Sequence, residues 1–520
     1  MPARRSFINS AVILMVSGLV VRLLGFVYRI YVSNMLGSEA MGIFQLISPV
    51  YSLIILTLTS GVSIAISRMV SRETARRHIV NVRRITVIAL LSVFAAGMLI
   101  SLFMLINARL IANEILKDPR TYYSVLLLVP CIPVIALSST LKGFFYGIQE
   151  VTPNAWSQIA EQVTRIVLVL LAAKQFINNG LEYACAFATA AMAAGEIASL
   201  LVLYLAYRKR VKKYIKNKSK KGLMRKRAII LEILKISWPV SSNRFITSIM
   251  SAIELILIPR RLLAGGMDYQ ASIETYGKLT GMAMPLVYFP ALVTSSLAVT
   301  LVPAISEALS LRNFKTVTAR ISKSIQVTLA LGFIFFAVFM CYHDEIGNLI
   351  FRRENIGELL YLLSFACIPL YFQQTLSGIL NGLGKQGASL RNSMIGYLIR
   401  IGFVYFCIPV YGIKSYTIAI LASSILTCLL NLLVVTRETG MAVDIRNWML
   451  KPGIVAVSML LTGRYIHGFF ATLFKHSMFA AAFSVIASIA VGIFLMVMIG
   501  VLEKKQLLKA IGLGKDDFHG

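Results

Sequence analysis

Long apolar segments recur along the whole chain, and short polar stretches separate them. A bilayer span needs about 20 mostly apolar residues, and fourteen segments reach that length. They are residues 7–35, 41–68, 83–107, 122–148, 153–173, 181–207, 228–262, 280–308, 317–341, 356–383, 388–410, 413–435, 452–474 and 477–502. The pattern predicts an all-α polytopic membrane protein with about fourteen transmembrane helices.

Composition supports a membrane protein over a soluble one. Hydrophobic residues make up 58% of the 520 residues and charged residues only 14%, whereas soluble proteins average roughly a quarter charged. Residues 208–227 carry twelve Lys and Arg and no acid. In a soluble protein this run would indicate nucleic-acid binding, but between membrane spans it indicates a cytoplasmic loop. We therefore expect membrane lipids around the protein and no nucleic-acid partner.

The distribution of basic residues predicts the orientation of the spans. With the N-terminus inside, the inner segments hold 34 Lys and Arg and the outer segments hold 11. Cytoplasmic loops carry such an excess. The first span follows Arg4 and Arg5 and is too long for the apolar core of a signal peptide, so we expect it to be retained. The prediction is a multi-pass protein of the cell membrane with both termini in the cytoplasm.

The chain contains an internal repeat at an offset of 235 residues. Leu141-x-Gly143-x-x-x-Gly147 reappears as Leu376-x-Gly378-x-x-x-Gly382. Further matches at or near this offset pair Arg165-Ile166 with Arg400-Ile401, Cys131 with Cys367, Pro49 with Pro285, and Ala65 with Ala304. The offset maps the first six spans onto the next six in the same orientation. It therefore predicts two parallel six-helix lobes, an arrangement typical of transporters.

The repeat also predicts how the chain is divided. The expected parts are an N-terminal lobe at 1–207, the basic cytoplasmic linker at 208–227, a C-terminal lobe at 228–437, two extra helices at 438–502, and a cytoplasmic tail at 503–520.

Several charged residues fall inside the predicted spans, where an ionised group costs about 2.5–3.5 kcal/mol at the bilayer centre. Such residues are expected to face a partner or a water-filled cavity. Arg22 and Arg29 are seven residues apart on one face of the first span, and Glu161 and Arg165 can pair at i,i+4. The candidate substrate-binding residues are Arg22, Arg29, Arg165, Arg244, Glu254 and Arg400. Because most are arginines, whose guanidinium groups bind phosphate through two hydrogen bonds, the substrate is expected to be an anion.

Motifs of enzymes and metalloproteins are missing from the sequence. It has no GxSxG, Walker A or HExxH pattern, and its six cysteines are scattered without metal-ligand spacing. We expect no catalytic residue, no metal and no cofactor, and secondary transport instead of enzymatic activity. Prolines and glycines interrupt the span at 280–308, and their pattern is as consistent with packing kinks as with gating.

Four motifs resemble one family. They are Arg22-Leu-Leu-Gly25-Phe-Val-Tyr-Arg29, Leu36-Gly-Ser-Glu-Ala-Met-Gly42, Gly61-Val-Ser-Ile-Ala-Ile-Ser67, and Tyr276-Gly-Lys-Leu-Thr-Gly-Met-Ala-Met-Pro285. They are similar to the stage V sporulation protein B group of the multidrug/oligosaccharidyl-lipid/polysaccharide superfamily, to which the MurJ and Wzx flippases and the MATE exporters also belong. In MurJ-like first helices a second arginine follows, and it falls at Tyr28 here, one position before Arg29.

The resemblance implies a MATE- or MurJ-like fold and alternating access. It also implies a polyprenyl-pyrophosphate-linked glycan as substrate, held by cavity arginines and flipped in cell-wall or spore-cortex synthesis. A coupling ion (Na+ or H+) or the membrane potential would drive the transport, and cell-wall polymerases would be partners. Two other hypotheses remain open: a MATE-type cation-coupled exporter of small molecules, and a non-transporting scaffold for glycan polymerisation.

Overall fold

The computed structural model describes residues 2–177, 179–214, 223–352, 354–474 and 477–501, and it contains no strand in these ranges. The α-helices are α1 (Pro2–Ala75), α2 (Ile79–Ile106), α3 (Ala108–Leu110), α4 (Tyr122–Leu128), α5 (Cys131–Gly147), α6 (Thr152–Ile177), α7 (Leu181–Tyr214), α8 (Lys226–Ala264), α9 (Tyr269–Gly277), α10 (Met284–Tyr288), α11 (Ala291–Ser310), α12 (Phe314–Cys341), α13 (His343–Ile350), α14 (Gly357–Ser364), α15 (Cys367–Gly382), α16 (Gln386–Phe406), α17 (Ile408–Tyr411), α18 (Lys414–Thr439), α19 (Lys451–Leu473) and α20 (Ser477–Met498). The predicted linker lies partly, and the predicted tail entirely, outside the described residues.

Many of these helices can cross a membrane. Seven are long and apolar enough by length and composition, and two bent pairs, α4 with α5 and α14 with α15, bring the number to nine. The first two predicted spans both lie in α1, which is kinked at Gly37, where φ is 78°. The prediction of an all-α polytopic membrane protein is thus confirmed, and the count of fourteen spans stays a prediction.

The two bent pairs show that the internal repeat of the sequence is also a repeat of helix packing. The bend is 41° between α4 and α5 and 54° between α14 and α15. Gly143 of α5 contacts Ser63 of α1, and Gly378 of α15 contacts Ala298 of α11. One turn further on, Gly147 contacts Val70, and Gly382 contacts Ile305. Every residue of the second set lies 235 positions after its counterpart, so the two halves pack these helices in the same way.

The chain forms two compact units. The first comprises Met1–Arg260 with Asp268–Gly277, and the second comprises Arg261–Met267 with Lys278–Gly520. A core around Ile66, Phe144 and Ile85 stabilises the first, and a core around Ile321 and Leu376 stabilises the second. By its contacts most of α8 belongs to the first unit, whereas the sequence repeat assigns it to the second lobe; the lobe boundaries stay a prediction.

Candidate functional site

A cavity of about 300 Å³, whose wall is mostly apolar but carries several polar side chains, lies inside the first unit, among α1, α4, α6 and α7. Two arginines from different helices lie on its wall, Arg29 of α1 and Arg165 of α6. The other polar side chains that line it include Tyr28, Gln45, Tyr51 and Gln162. We refer to this space as the arginine cavity.

Arg165 is held by two carboxylates on neighbouring helices. Its Nη2 lies 2.7 Å from Glu161 Oε1, one turn earlier on α6, and 3.0 Å from Glu196 Oε1 on α7. The Tyr51 hydroxyl donates a second hydrogen bond to Glu196 Oε1, at 3.0 Å. All three charged side chains are at most 13% exposed. Because buried ions are stable only when paired and hydrogen-bonded, this network fixes the position of the guanidinium.

The close approach of α6 and α7 at this network depends on Gly195, which precedes Glu196. A Cβ atom on Gly195 would lie 2.8 Å from the carbonyl oxygen of Glu161 and 2.8 Å from Cγ of Arg165. Any larger side chain would push the helices apart at the salt bridge. Glycine is therefore required at this position if both carboxylates are to reach Arg165.

Some residues that line the arginine cavity carry buried polar atoms that have no protein partner. They are the Tyr28 hydroxyl, Nε2 of Gln45 and Nε of Arg165, and all three are buried and can donate a hydrogen bond. Leaving a buried donor unsatisfied costs about 1–3 kcal/mol. Arg29 adds a guanidinium that forms no ion pair with any described carboxylate. A wall that presents unsatisfied donors and positive charge is suited to bind an anion with several oxygens.

The structure brings together only part of the predicted substrate-binding set. Arg29 and Arg165 line one cavity, and the predicted pair of Glu161 with Arg165 forms. Arg22 is exposed and does not line this cavity. On α8, Arg244 is exposed and Glu254 is buried, and neither lines it.

Arg400 lies on α16 in the second unit, with Cζ 4.6 Å from the centre of the Tyr397 ring. Substrate contact by any of the six candidate residues stays a prediction.

A second group of charges lies at one end of the first unit, the end that is predicted to face the outside of the cell. Arg120 Nη1 is 2.6 Å from Glu39 Oε1, Arg120 Nη2 is 3.0 Å from Asp118 Oδ2, and Gln270 donates to Glu39 Oε2. Burial by itself lowers the pKa of Arg120, but the hydrogen bonds to Asp118 and Glu39 outweigh it and raise the pKa above its usual value. The cluster ties α1 to the loop before α4 and to α9.

The family of the chain can be read from its sequence matches. The family model described as "Polysaccharide biosynthesis protein" matches residues 7–309, which is more than half of the chain. The chain belongs to this family. A second model, described as MatE, matches residues 279–406. The relatives of the chain reported next, a sporulation protein and a flippase, are not enzymes.

Two relatives from Bacillus subtilis (strain 168) align with most of the chain. Stage V sporulation protein B is 30% identical over 457 residues, 88% of each chain. Lipid II flippase MurJ is 23% identical over 509 residues, covering 91% of this chain and 90% of the relative. These matches confirm a stage V sporulation protein B-like member of the multidrug/oligosaccharidyl-lipid/polysaccharide superfamily.

Solved structures share the fold. An inward-facing multidrug resistance MATE family transporter superimposes with a TM-score of 0.65 at 16% identity, covering 82% of this chain and all of that chain. A superfamily transporter from Pyrococcus furiosus, described as having a binding pocket of reverse polarity, gives 0.59 at 17% identity, covering 84% and 95%. At such low identity these likenesses establish the MATE-like helical fold alone.

Proposed function

We propose that the protein translocates a polyprenyl-pyrophosphate-linked glycan from the inner to the outer leaflet of the cytoplasmic membrane, by alternating access and without hydrolysis. The proposal places it in cell-wall or spore-cortex synthesis, with both termini in the cytoplasm. Membership of the polysaccharide biosynthesis family supports it, as does the likeness to a stage V sporulation protein and to a lipid II flippase.

The arginine cavity is the observation that carries this proposal. A pyrophosphate presents many acceptor oxygens and negative charge. On the wall of one cavity, Arg29 offers positive charge, and Arg165, Gln45 and Tyr28 offer hydrogen-bond donors. Arg165 is already positioned by Glu161 and Glu196, so binding an anion requires little reorganisation of its guanidinium. Preorganised charged donors of this kind form the stronger class of hydrogen bonds.

The energy source belongs to the same proposal. With no nucleotide-binding motif in the sequence, transport would be driven by a coupled Na+ or H+, or by the membrane potential acting on the anionic substrate. Cell-wall polymerases that consume the flipped glycan would be the partners on the outer face.

A cation-coupled exporter of small molecules is the second candidate. The MATE family structural neighbours favour it, and so does Glu254, a carboxylate only 3% exposed within α8. In such an exporter Glu254, and not the arginines, would be essential. The two functions therefore differ in which residue transport depends on.

A flipping assay in proteoliposomes tests the proposed function. The substrate is a fluorescent polyprenyl pyrophosphate carrying a disaccharide, and the readout is quenching from one leaflet. Arg29→Gln should slow flipping about 10- to 100-fold, the equivalent of a charged hydrogen bond of about 1.5–3 kcal/mol. Arg29→Lys should recover part of the rate, because an ammonium cannot replace the planar fork.

The control variant is Arg68→Gln. Arg68 is an exposed arginine of the same helix that does not line the cavity, so this variant should flip the lipid at the unmodified rate. Arg22→Ala tests separately the sequence-based prediction that Arg22 contacts the pyrophosphate. If Arg29→Gln flips at the unmodified rate while Glu254→Gln abolishes transport, the exporter is the correct function.

A further inference from the structure

A second cavity of the first unit lies on the other side of the charge network. It has a volume of about 500 Å³, within the range of about 300–1,000 Å³ that small-molecule sites occupy. Helices α1, α5, α6 and α7 form its wall. The wall is mostly apolar and also carries a group of polar side chains, among them Ser60, Ser63, Ser138, Gln158 and Glu161. We refer to it as the hydroxyl cavity. Neither the sequence motifs nor the arginines predicted to bind the substrate account for it.

The charges around the hydroxyl cavity balance. Glu161 and Glu196 line it, both are paired with Arg165, and Lys142 of α5 lines the same wall. Two carboxylates, one guanidinium and one ammonium sum to zero. A neutral ligand therefore fits this wall better than a metal ion or an organic cation, which would need an excess of negative charge.

The wall offers both acceptors and donors to a ligand. The hydroxyls of Thr59 and Ser60 donate to carbonyl oxygens of their own helix, at 2.7 and 2.6 Å, and keep lone pairs as acceptors. The Ser138 hydroxyl, only 1% exposed, has no hydrogen-bond partner in the protein. Gln158 adds an amide, which both donates and accepts. A polyhydroxylated ligand, whose hydroxyls also donate and accept, can satisfy this set of groups.

The two cavities adjoin across the charge network of Arg165. Arg165 and Tyr51 line the arginine cavity, Glu196 lines the hydroxyl cavity, and both residues hydrogen-bond Glu196 Oε1 at 3.0 Å. We propose that the hydroxyl cavity binds the neutral saccharide of the lipid-linked glycan next to its pyrophosphate in the arginine cavity. This inference rests on the proposed function and adds to it the part of the protein that recognises the sugar.

The contribution of the saccharide to binding affinity can be measured with two lipids that differ only in the saccharide. The dissociation constants of the full-length protein in nanodiscs are compared for a polyprenyl pyrophosphate and for the same lipid bearing an N-acetylated disaccharide. The unmodified protein should bind the glycosylated lipid more tightly. Ser138→Ala should weaken its binding about fivefold, by loss of one hydrogen bond, and leave the binding of the bare lipid unchanged.

Ser199→Ala is the matched control. Ser199 of α7 also has a buried hydroxyl without a partner, but it lines neither cavity, so this variant should keep the full preference for the glycosylated lipid. Equal affinity of the unmodified protein for both lipids overturns the inference, as does an equal effect of Ser138→Ala on both. In either case, if Arg29→Gln still weakens both lipids, the proposed function stands.

Discussion

At the scale of single residues, the site is organised by one guanidinium. Arg165 binds Glu161 and Glu196 through the same nitrogen, while its buried Nε has no partner in the protein. Arg29 shares the cavity but has no described carboxylate beside it. The two arginines therefore have different roles: Arg165 compensates buried negative charge, and Arg29 contributes positive charge to the cavity wall.

This difference predicts opposite effects on stability. Arg165→Met removes the arginine that pairs with two buried carboxylates and should destabilise the fold by about 3–5 kcal/mol. Arg29→Met keeps a similar volume and breaks no described ion pair, so its melting temperature in detergent should equal or exceed that of the unmodified protein. Thermal unfolding followed by tryptophan fluorescence compares them. A lower melting temperature for Arg29→Met than for Arg165→Met would contradict this division of roles.

The sequence could predict part of this network and not the rest. Glu161 and Arg165 are one helical turn apart, so their pairing follows from spacing alone. Glu196 lies 31 residues beyond Arg165 on another helix, and no spacing rule connects the two. Similarly, the spacing of Arg22 and Arg29 predicts a shared helix face, but only the packing of α6 against α1 determines that Arg29 lines the cavity and Arg22 does not.

At the scale of helices, small residues determine how closely neighbours approach. Gly195 allows α6 and α7 to meet at the salt bridge, and Gly143 and Gly378 do the same for α5 against α1 and for α15 against α11. In membranes, where lipid is as apolar as a leucine side chain, such close contacts supply much of the attraction between helices.

Two glycine substitutions separate packing from helix propensity. Gly195→Ala places a methyl group 2.8 Å from a backbone oxygen of α6, which cannot rotate away, so we expect a lower melting temperature and slower flipping. Gly402→Ala, in the interior of α16, meets no atom within 4 Å. It should be neutral, or stabilising by up to about 1 kcal/mol. Equal melting temperatures for the two variants would show that α6 and α7 do not meet this closely.

The bends in the fourth and tenth predicted spans illustrate what a hydrophobic pattern omits. Each span is continuous in its apolar residues, yet the helix breaks just before Cys131 and Cys367. Pro133 lacks the N–H that would bond Val129 four residues earlier, and Ser101 of α2 donates to that carbonyl instead, at 2.6 Å. The sequence shows the proline. It does not show that Ser101, 28 residues before Val129, supplies the compensating hydrogen bond.

At the scale of the whole molecule, duplication and charge distribution describe the architecture. The glycine contacts recur at an offset of 235 residues in the two units, and the basic residues cluster in alternate loops. Both features are properties of the entire chain, which is why the sequence alone could predict a duplicated helical transporter. The contacts within each unit decide which predicted residues share a cavity.

Thiol labelling tests the predicted orientation. Three single cysteines, at Asn178, Ser219 and Gly520, which lie outside the described residues, are introduced into a chain without its six native cysteines. In intact cells an impermeant maleimide should label Asn178→Cys only, because the positive-inside rule places the other two positions in the cytoplasm. Labelling of Ser219→Cys from outside would reverse the topology, and permeabilised cells provide the control for reactivity.

Binding of the pyrophosphate in the arginine cavity is tested most directly by a structure of the full-length protein in a nanodisc with a polyprenyl pyrophosphate bearing a disaccharide. We expect phosphate oxygens at hydrogen-bond distance, about 2.7–2.9 Å, from the guanidinium nitrogens of both Arg29 and Arg165, with Glu161 and Glu196 still bound to Arg165. A pyrophosphate bound elsewhere, with the arginine cavity holding no part of the lipid, would contradict it.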